Sequence, residues 1–180
     1  MKMNQKGQEA APFELMVAVV LMTFVIVMGL QAIEVLNRTA CEGNMLKNME
    51  HIKTSIESVV KNKSKANTYF ELPDCFNEQE SSLRIIERDD ITYCSAFCGG
   101  SQAQCTILQF SSPTFTEVKC VNISSATTFP DASTCNPAIL DGDYSVSEWK
   151  TNPILEGQYT LIREFNLYSD APIVCVYQRN

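Results

Sequence analysis

The first hydrophobic pattern in the chain is one long apolar run near its N-terminal end. From Leu15 to Ile33 there are 19 consecutive positions without a charged residue, rich in Val, Leu, Ile and Met. At a rise of about 1.5 Å per residue, a helix of this length spans about 28 Å, close to the thickness of a bilayer's hydrocarbon core. The run therefore predicts a membrane-length helix, because a single segment can satisfy its backbone in lipid only as a helix.

A second pattern, with an apolar residue at every third or fourth position, extends this helix. The apolar positions form a stripe along one helical face: Met45, Met49, Ile52, Ile56 and Val59. Glu57 and Lys61 have the i, i+4 spacing that favours an ion pair on a helix surface. The stripe is typical either of a seam between helices or of packing against the chain's own globular domain. The two patterns together predict one helix from about Pro12 to Val60.

Beyond a polar stretch over residues 61–67, the pattern changes to short segments bounded by turn residues. These segments predict six strands: Ser82–Ile86, Ile91–Phe97, Thr106–Phe110, Glu117–Ile123, Tyr159–Tyr168 and Ile173–Gln178. In the fifth strand, one side carries Leu161, Arg163, Phe165 and Leu167. Because that side is apolar apart from the arginine, we expect it to face the core.

These patterns place the chain in the α+β class. We expect a long N-terminal hydrophobic helix, forming a stalk, followed by an antiparallel β-rich globular domain that is held by disulfides. The expected helix covers residues 8–62, and the expected β-rich extracellular domain covers residues 63–180.

The cysteines indicate an oxidising compartment. There are eight of them, an even number that predicts four disulfides: Cys41, Cys75, Cys94, Cys98, Cys105, Cys120, Cys135 and Cys175. A zinc site would need closer cysteine pairs and nearby histidines, and the chain has one histidine, His51. The sequence leaves the pairing of the cysteines open, and their modest density predicts an apolar core as well.

Charge and glycosylation signals agree with an outside location for the domain. The net charge of −7 argues against nucleic-acid binding, which requires a basic surface. Lys2 and Lys6 precede the apolar run, which favours a cytoplasmic N-terminus and an external remainder. Candidate N-glycosylation sequons begin at Asn37, Asn62 and Asn122.

The N-terminal residues suggest a family. The tripeptide Lys6-Gly7-Gln8, an acidic residue soon after it, an apolar helix and a cysteine-containing domain resemble archaeal type IV pilin-like proteins with class III signal peptides. The resemblance implies that a prepilin peptidase cuts between Gly7 and Gln8, so that residues 1–7 are a leader and the helix is kept as a filament core. Family members usually carry glutamate at the fifth mature position, where this chain has Pro12, and Glu14 is the seventh.

Glu14 has a physical role on this interpretation. A carboxylate at the margin of an apolar phase is costly unless it has a partner. The α-amine created at Gln8 of one subunit could neutralise Glu14 of a neighbour and so fix the axial register of a helical bundle. The alternative is a hydrated Glu14 at headgroup level that interacts with the helix dipole.

The resemblance implies a structural subunit of a cell-surface filament that serves adhesion or surface attachment. The implied partners are copies of the chain itself, the prepilin peptidase, an assembly platform with its motor ATPase, and a membrane that holds the single-pass precursor. The alternative is a signal-anchored extracellular binding or receptor domain that does not polymerise. No catalytic, phosphate-binding or dinucleotide motif occurs, so we expect no enzyme activity, cofactor or metal. Asp141 and Asp143 indicate a turn rather than a calcium loop, and Trp149 is expected in the core.

Overall fold

A computed structural model describes residues 10–61, 64–100, 103–123, 127–130, 132–165 and 172–180. The chain divides into two compact units, Met1–Cys41 and Glu42–Asn180. One long helix, α1 (Ala10–Lys61), supplies the described part of the first unit and the beginning of the second. The predicted long N-terminal helix is therefore confirmed.

The second unit contains two antiparallel sheets and a short helix, α2 (Ile91–Cys98). The strands are β1 (Lys65–Phe70), β2 (Ser82–Arg88), β3 (Cys105–Ser111), β4 (Thr116–Val121), β5 (Tyr144–Val146), β6 (Gly157–Phe165) and β7 (Pro172–Arg179). One sheet has four strands in the order β1-β6-β7-β5, and the other has three in the order β2-β3-β4. Every pairing between these seven described strands is antiparallel, which confirms the predicted α+β class.

The core of the second unit forms around the apolar stripe of α1. All five stripe residues, from Met45 to Val59, are fully buried. They share one cluster with inward-facing side chains of both sheets, including Leu108 and Phe110 of β3 and Leu161 of β6. Of the two interpretations of the stripe, packing against the chain's own domain is the one the structure confirms.

Arg163, the charged residue on the inward side of β6, has a hydrogen-bond partner there. Its side chain is half-buried, and Nη1 donates a hydrogen bond of 2.7 Å to the carbonyl of Val60, in the last turn of α1. A cation is favourable there because the carbonyls of a final helical turn have no partner within the helix. Leu161, on the same side of the strand, is fully buried as predicted.

The predicted strand Ile91–Phe97 is wrong, because these residues form α2. The Asp90 side chain caps this helix by accepting hydrogen bonds from the backbone N–H groups of Thr92 (2.8 Å) and Tyr93 (3.2 Å). At the other end, Gly99 has a φ of 69° and so ends the helix in a conformation that favours glycine. Local capping thus overrides the strand propensity of Ile, Thr, Tyr and Phe in this segment.

Two strands that the sequence pattern did not predict are β1 and β5. In β1 the buried side chains are Thr68 and Phe70, whereas Lys65 and Asn67 are exposed, so its first half is polar in composition. This fits its position at the edge of the four-stranded sheet, with one face toward the core. β5 has three residues, too few for an alternation to be recognised.

The disulfides attach covering segments to the outer faces of the sheets. Cys94–Cys105 and Cys98–Cys120 join α2 to β3 and β4, over a small apolar cluster around Ile107. Cys135–Cys175 joins the segment before β5 to β7, beside Ile173 and Tyr177. Cys41 and Cys75 are also disulfide-bonded, and no cysteine of the chain is free, so the expectation of a disulfide-bonded domain is confirmed.

Candidate functional sites: an exposed apolar helix and a cavity at the sheet end

Within the described part of the first unit, residues 13–40 form a helical segment with no buried residue. Every residue from Phe13 to Ala40 is exposed. Seventeen of them are large apolar side chains with 41–69% of their surface accessible. By length and composition the helix could cross a membrane, and no residue in its most apolar 18-residue stretch is buried. We call residues 13–40 the exposed segment.

Glu14 lies on the exposed segment, and its side chain is exposed. Helix α1 is described from Ala10, so Glu14 lies beyond the first turn, in which no acidic residue occurs. Because the effect of the helix dipole falls off within the first turn, the dipole gives this carboxylate little stabilisation. Lys6, Gly7 and Gln8, the predicted cleavage residues, lie outside the described residues.

The candidate glycosylation residues lie in different places. Asn37 is exposed on α1, within the exposed segment. Asn122 is exposed just after β4, and its backbone N–H donates a 2.8 Å hydrogen bond to Oε1 of Glu57. Asn62 lies outside the described residues. The carboxylate of Glu57 also pairs with Lys61 at 3.6 Å, the ion pair that the i, i+4 spacing predicts.

A cavity of about 340 Å³ lies at one end of the four-stranded sheet. Across that end, β1 contributes Tyr69, which pairs with Gln158 of β6. On the far side, Tyr144 of β5 pairs with Arg179 of β7. The antiparallel register of β6 and β7, continued by one position, sets Gln158 opposite Arg179. Since side chains of directly opposed residues point to the same face of a sheet, these four form one row across four strands. We call them the cross-strand row.

His51 and Asn67 extend the lining of the cavity beside the cross-strand row. Nδ1 of His51 lies 3.0 Å from Oγ1 of Thr68, and its ring centroid is 5.1 Å from that of Tyr69. Oδ1 of Asn67 accepts a hydrogen bond of 3.1 Å from the hydroxyl of Thr160. These contacts hold His51 and Asn67 at the side of the cavity formed by β1.

Two tyrosines of the second unit have strongly shifted acidities. Burial raises the pKa of Tyr159 to about 12, and its hydroxyl donates a hydrogen bond to the Leu155 carbonyl. Burial also raises the pKa of Tyr177 to about 12, and the neighbouring Glu164 carboxylate adds to the rise. Both hydroxyls therefore stay protonated near neutral pH and serve as hydrogen-bond donors rather than bases.

The other residues considered from the sequence have structural positions. Trp149 is buried in the core, where its ring meets that of Tyr159 edge to face at 5.0 Å. Oδ1 of Asp143 accepts a 3.0 Å hydrogen bond from Nδ2 of Asn180, which ties the last strand to the turn before β5. Among the described residues, no group of three or more His, Cys, Asp or Glu side chains could hold a metal ion.

Sequence reasoning missed the cross-strand row. Its four residues lie on four strands, two of which the pattern did not predict, so nothing along the chain brings them together. The available signal was weak: Tyr69 and Tyr144 each stand next to a polar residue.

Comparison of the chain with models of known protein families, with curated proteins and with solved structures finds no match.

Proposed function

We propose that this chain is the structural subunit of an archaeal type IV pilus-like surface filament, assembled through α1 and serving adhesion or surface attachment. The observation that carries the proposal is the difference between the two parts of α1. The stripe from Met45 to Val59 is buried in the chain's own core, whereas the exposed segment has no buried residue. The exposed segment therefore requires a covering that comes from outside the described chain.

The size of this requirement follows from the hydrophobic effect. Removing a large apolar side chain from water stabilises a protein by about 1.5–3 kcal/mol. Seventeen such side chains are exposed on the segment, so leaving them in water would cost on the order of tens of kcal/mol. Lipid tails or the same segment of neighbouring copies are the two coverings of matching chemistry.

A filament uses both coverings in turn. Lipid tails and apolar helices are similar solvents, so a helix that moves from bilayer to bundle loses little hydrophobic stabilisation. Small residues that permit close helix approach occur at Ala18, Gly29 and Ala32. A Cβ placed on Gly29 would meet no atom within 4 Å, so the chain's own packing does not require glycine at this position.

The N-terminal residues supply the step that separates precursor from subunit. Cleavage between Gly7 and Gln8 removes Lys2 and Lys6, the basic residues that hold the precursor's N-terminus in the cytoplasm. We infer that the new α-amine of one copy pairs with Glu14 of a neighbouring copy. The peptidase, the assembly platform and the motor ATPase are partners in this scheme, and the disulfide-bonded unit lies at the cell surface.

The second candidate is a binding or receptor domain anchored by α1 that never polymerises. It is favoured by the length of the uncharged run, since Leu15 to Ile33 fits one bilayer crossing without any further role. The two functions differ at the N-terminus. A subunit begins at Gln8, whereas a simple anchor retains its basic leader.

The test is the mature N-terminus, measured by mass spectrometry on protein from cells that are producing their own pili. We expect a chain that begins at Gln8 and is recovered in filaments. A Gly7→Val variant should keep the leader and stay in the membrane, because a bulky side chain blocks the peptidase. Gly43→Val is the matched control, since a Cβ there meets no atom within 4 Å. An uncut chain found only as single, detergent-requiring molecules would overturn the proposal.

A further inference from the structure

We propose that the cavity at the end of the four-stranded sheet binds an acidic saccharide, a sugar chain that carries a carboxylate. In this site Tyr69 and Tyr144 stack on sugar rings, Arg179 pairs with the carboxylate, and Gln158 bonds to hydroxyl groups. The inference goes beyond the filament function and does not rest on it, since every lining residue belongs to the second unit.

The first support is the spacing of the aromatic residues. Tyr69 on β1 and Tyr144 on β5 stand on the two edge strands of the sheet. Three strand spacings separate those edges, a distance of about 14 Å. The volume of about 340 Å³ lies at the lower end of the range of ligand pockets. An elongated ligand with more than one ring therefore fits the row better than a single compact group.

The second support is the chemistry of the lining. Tyrosine offers a broad apolar face and a hydroxyl at low conformational cost, which suits a ligand that is apolar on its ring faces and polar at its rim. Gln158 lies between the two tyrosines, and Asn67 lies on β1 beside Tyr69; both amides can donate and accept hydrogen bonds. Two aromatic rings with polar amides beside them match the alternating apolar and polar surface of a sugar chain.

The third support is the local charge. The chain as a whole carries −7, with 21 acidic residues. Yet among the described residues that line the cavity there is no carboxylate, while Arg179 and His51 are present. The Arg179 side chain is exposed and makes no ion pair or hydrogen bond within the described part of the chain. A planar guanidinium in this state is suited to bidentate pairing with a carboxylate.

The neighbouring carboxylate of Asp143 forms no ion pair with Arg179 among the described residues; it accepts a hydrogen bond from Nδ2 of Asn180. The guanidinium of Arg179 is therefore available to pair with a ligand carboxylate. This selects an acidic saccharide over a neutral one.

In the experiment, a saccharide is titrated into the full chain in detergent micelles, and calorimetry measures the heat of binding. The probes are an unsulfated chondroitin disaccharide, which carries one glucuronate carboxylate, and lactose as a neutral disaccharide. We expect saturable binding of the chondroitin disaccharide that weakens as salt is raised, and binding of lactose that is weaker by about tenfold or more.

Variants assign this binding to the cavity. Arg179→Gln should weaken binding of the chondroitin disaccharide by about tenfold while leaving the weak binding of lactose unchanged. Tyr69→Ala should weaken both, and Tyr69→Phe, which keeps the ring, should retain most of the affinity. Arg84→Gln is the matched charge control, because Arg84 is exposed on the other sheet.

Several results would overturn the inference. These are the absence of saturable binding by the unmodified chain at millimolar concentrations, equal affinity for the two disaccharides, and unchanged affinity in Arg179→Gln. Thermal unfolding of each variant shows whether it is folded. If a variant is misfolded, the binding affinity of Gln158→Ala replaces it in the test, because Gln158 is exposed and its substitution leaves the core intact. The measurement uses unassembled protein, so failure to form filaments and failure to bind sugar are separate outcomes.

Discussion

At the scale of single residues, a few polar contacts determine structure that hydrophobic patterning does not show. Asp90 begins a helix where the side chains alone favour a strand. Arg163 interrupts an apolar pattern in the sequence, and its guanidinium donates a hydrogen bond to a carbonyl at the end of α1. The sequence contains both residues, but their effects depend on partners that become adjacent only in the folded chain.

The capping role of Asp90 leads to a prediction for stability. Asp90→Ala should lower the free energy of unfolding by about 1 kcal/mol, because two backbone N–H groups at the start of α2 lose their acceptor. Chemical denaturation with the disulfides intact measures this change. Asp89→Ala is the control, since Asp89 is exposed and precedes the cap. Equal effects of the two substitutions would contradict the assignment of the cap.

The buried tyrosines predict a loss of stability in alkaline solution. Tyr159 has a pKa of about 12 in the folded chain, against an ordinary value of 10.0. The unfolded chain therefore loses this proton first, so the stabilisation is complete below pH 10 and is lost as the pH rises from about 10 to about 12. Tyr177 acts in the same direction.

Denaturation midpoints measured across this pH range test the prediction. Tyr159→Phe cannot ionise at this position and should show a shallower decline than the unmodified chain. An identical decline in the two proteins would show that burial of Tyr159 does not cause the loss.

At the scale of elements, the sequence predicts what has a long or regular pattern. Helix α1 and the central strands β3, β6 and β7 extend over enough positions for their periods to be recognised. The edge strands β1 and β5 were missed, since one is half polar and the other has three residues. The cavity was missed for the same reason, because both of its tyrosines stand on those edge strands.

The stripe on α1 gives a prediction at this scale. Ile52 is fully buried within the core cluster, so Ile52→Ala should destabilise the second unit by about 2–5 kcal/mol through lost contacts and a residual cavity. Thermal or chemical unfolding in micelles measures the effect. Ile26→Ala is the matched control on the same helix, because Ile26 is 61% exposed and is not part of the buried core. If the stripe served only as a seam between subunits, Ile52→Ala would leave the isolated chain unaffected.

At the scale of the whole molecule, the chain combines a unit that buries its own apolar surface with one that does not. The position of the charges predicts a membrane-length apolar run, and the exposed segment contains this run. The sequence left open whether the stripe forms a seam between helices or packs against the chain's own globular domain. Periodicity reports which face of a helix is apolar, whereas the partner of that face is determined by tertiary structure.

Assembly gives the prediction at this scale. Glu14→Gln should reduce the yield of filaments, because the neutral amide cannot pair with the α-amine of a neighbour and no longer penalises a slipped register. Electron microscopy of cells that express each variant measures the yield. Glu34→Gln is the matched control, since it removes the same charge from the other end of the uncharged run. Normal filaments from Glu14→Gln would remove the register role and leave the rest of the proposal standing.

The positions of three disulfides have a practical consequence for producing the protein. Each joins a covering segment to the outer face of a sheet, and no cysteine is among the described members of the central cluster around the stripe. Protein made in a reducing cytosol would keep the packing of its central cluster, but α2 and the segment before β5 would no longer be fixed to the sheets by disulfides. Ile107 and Ile173 would then become accessible, and the preparation would tend to aggregate through those two sheet faces while still giving a folded β signal in spectroscopy.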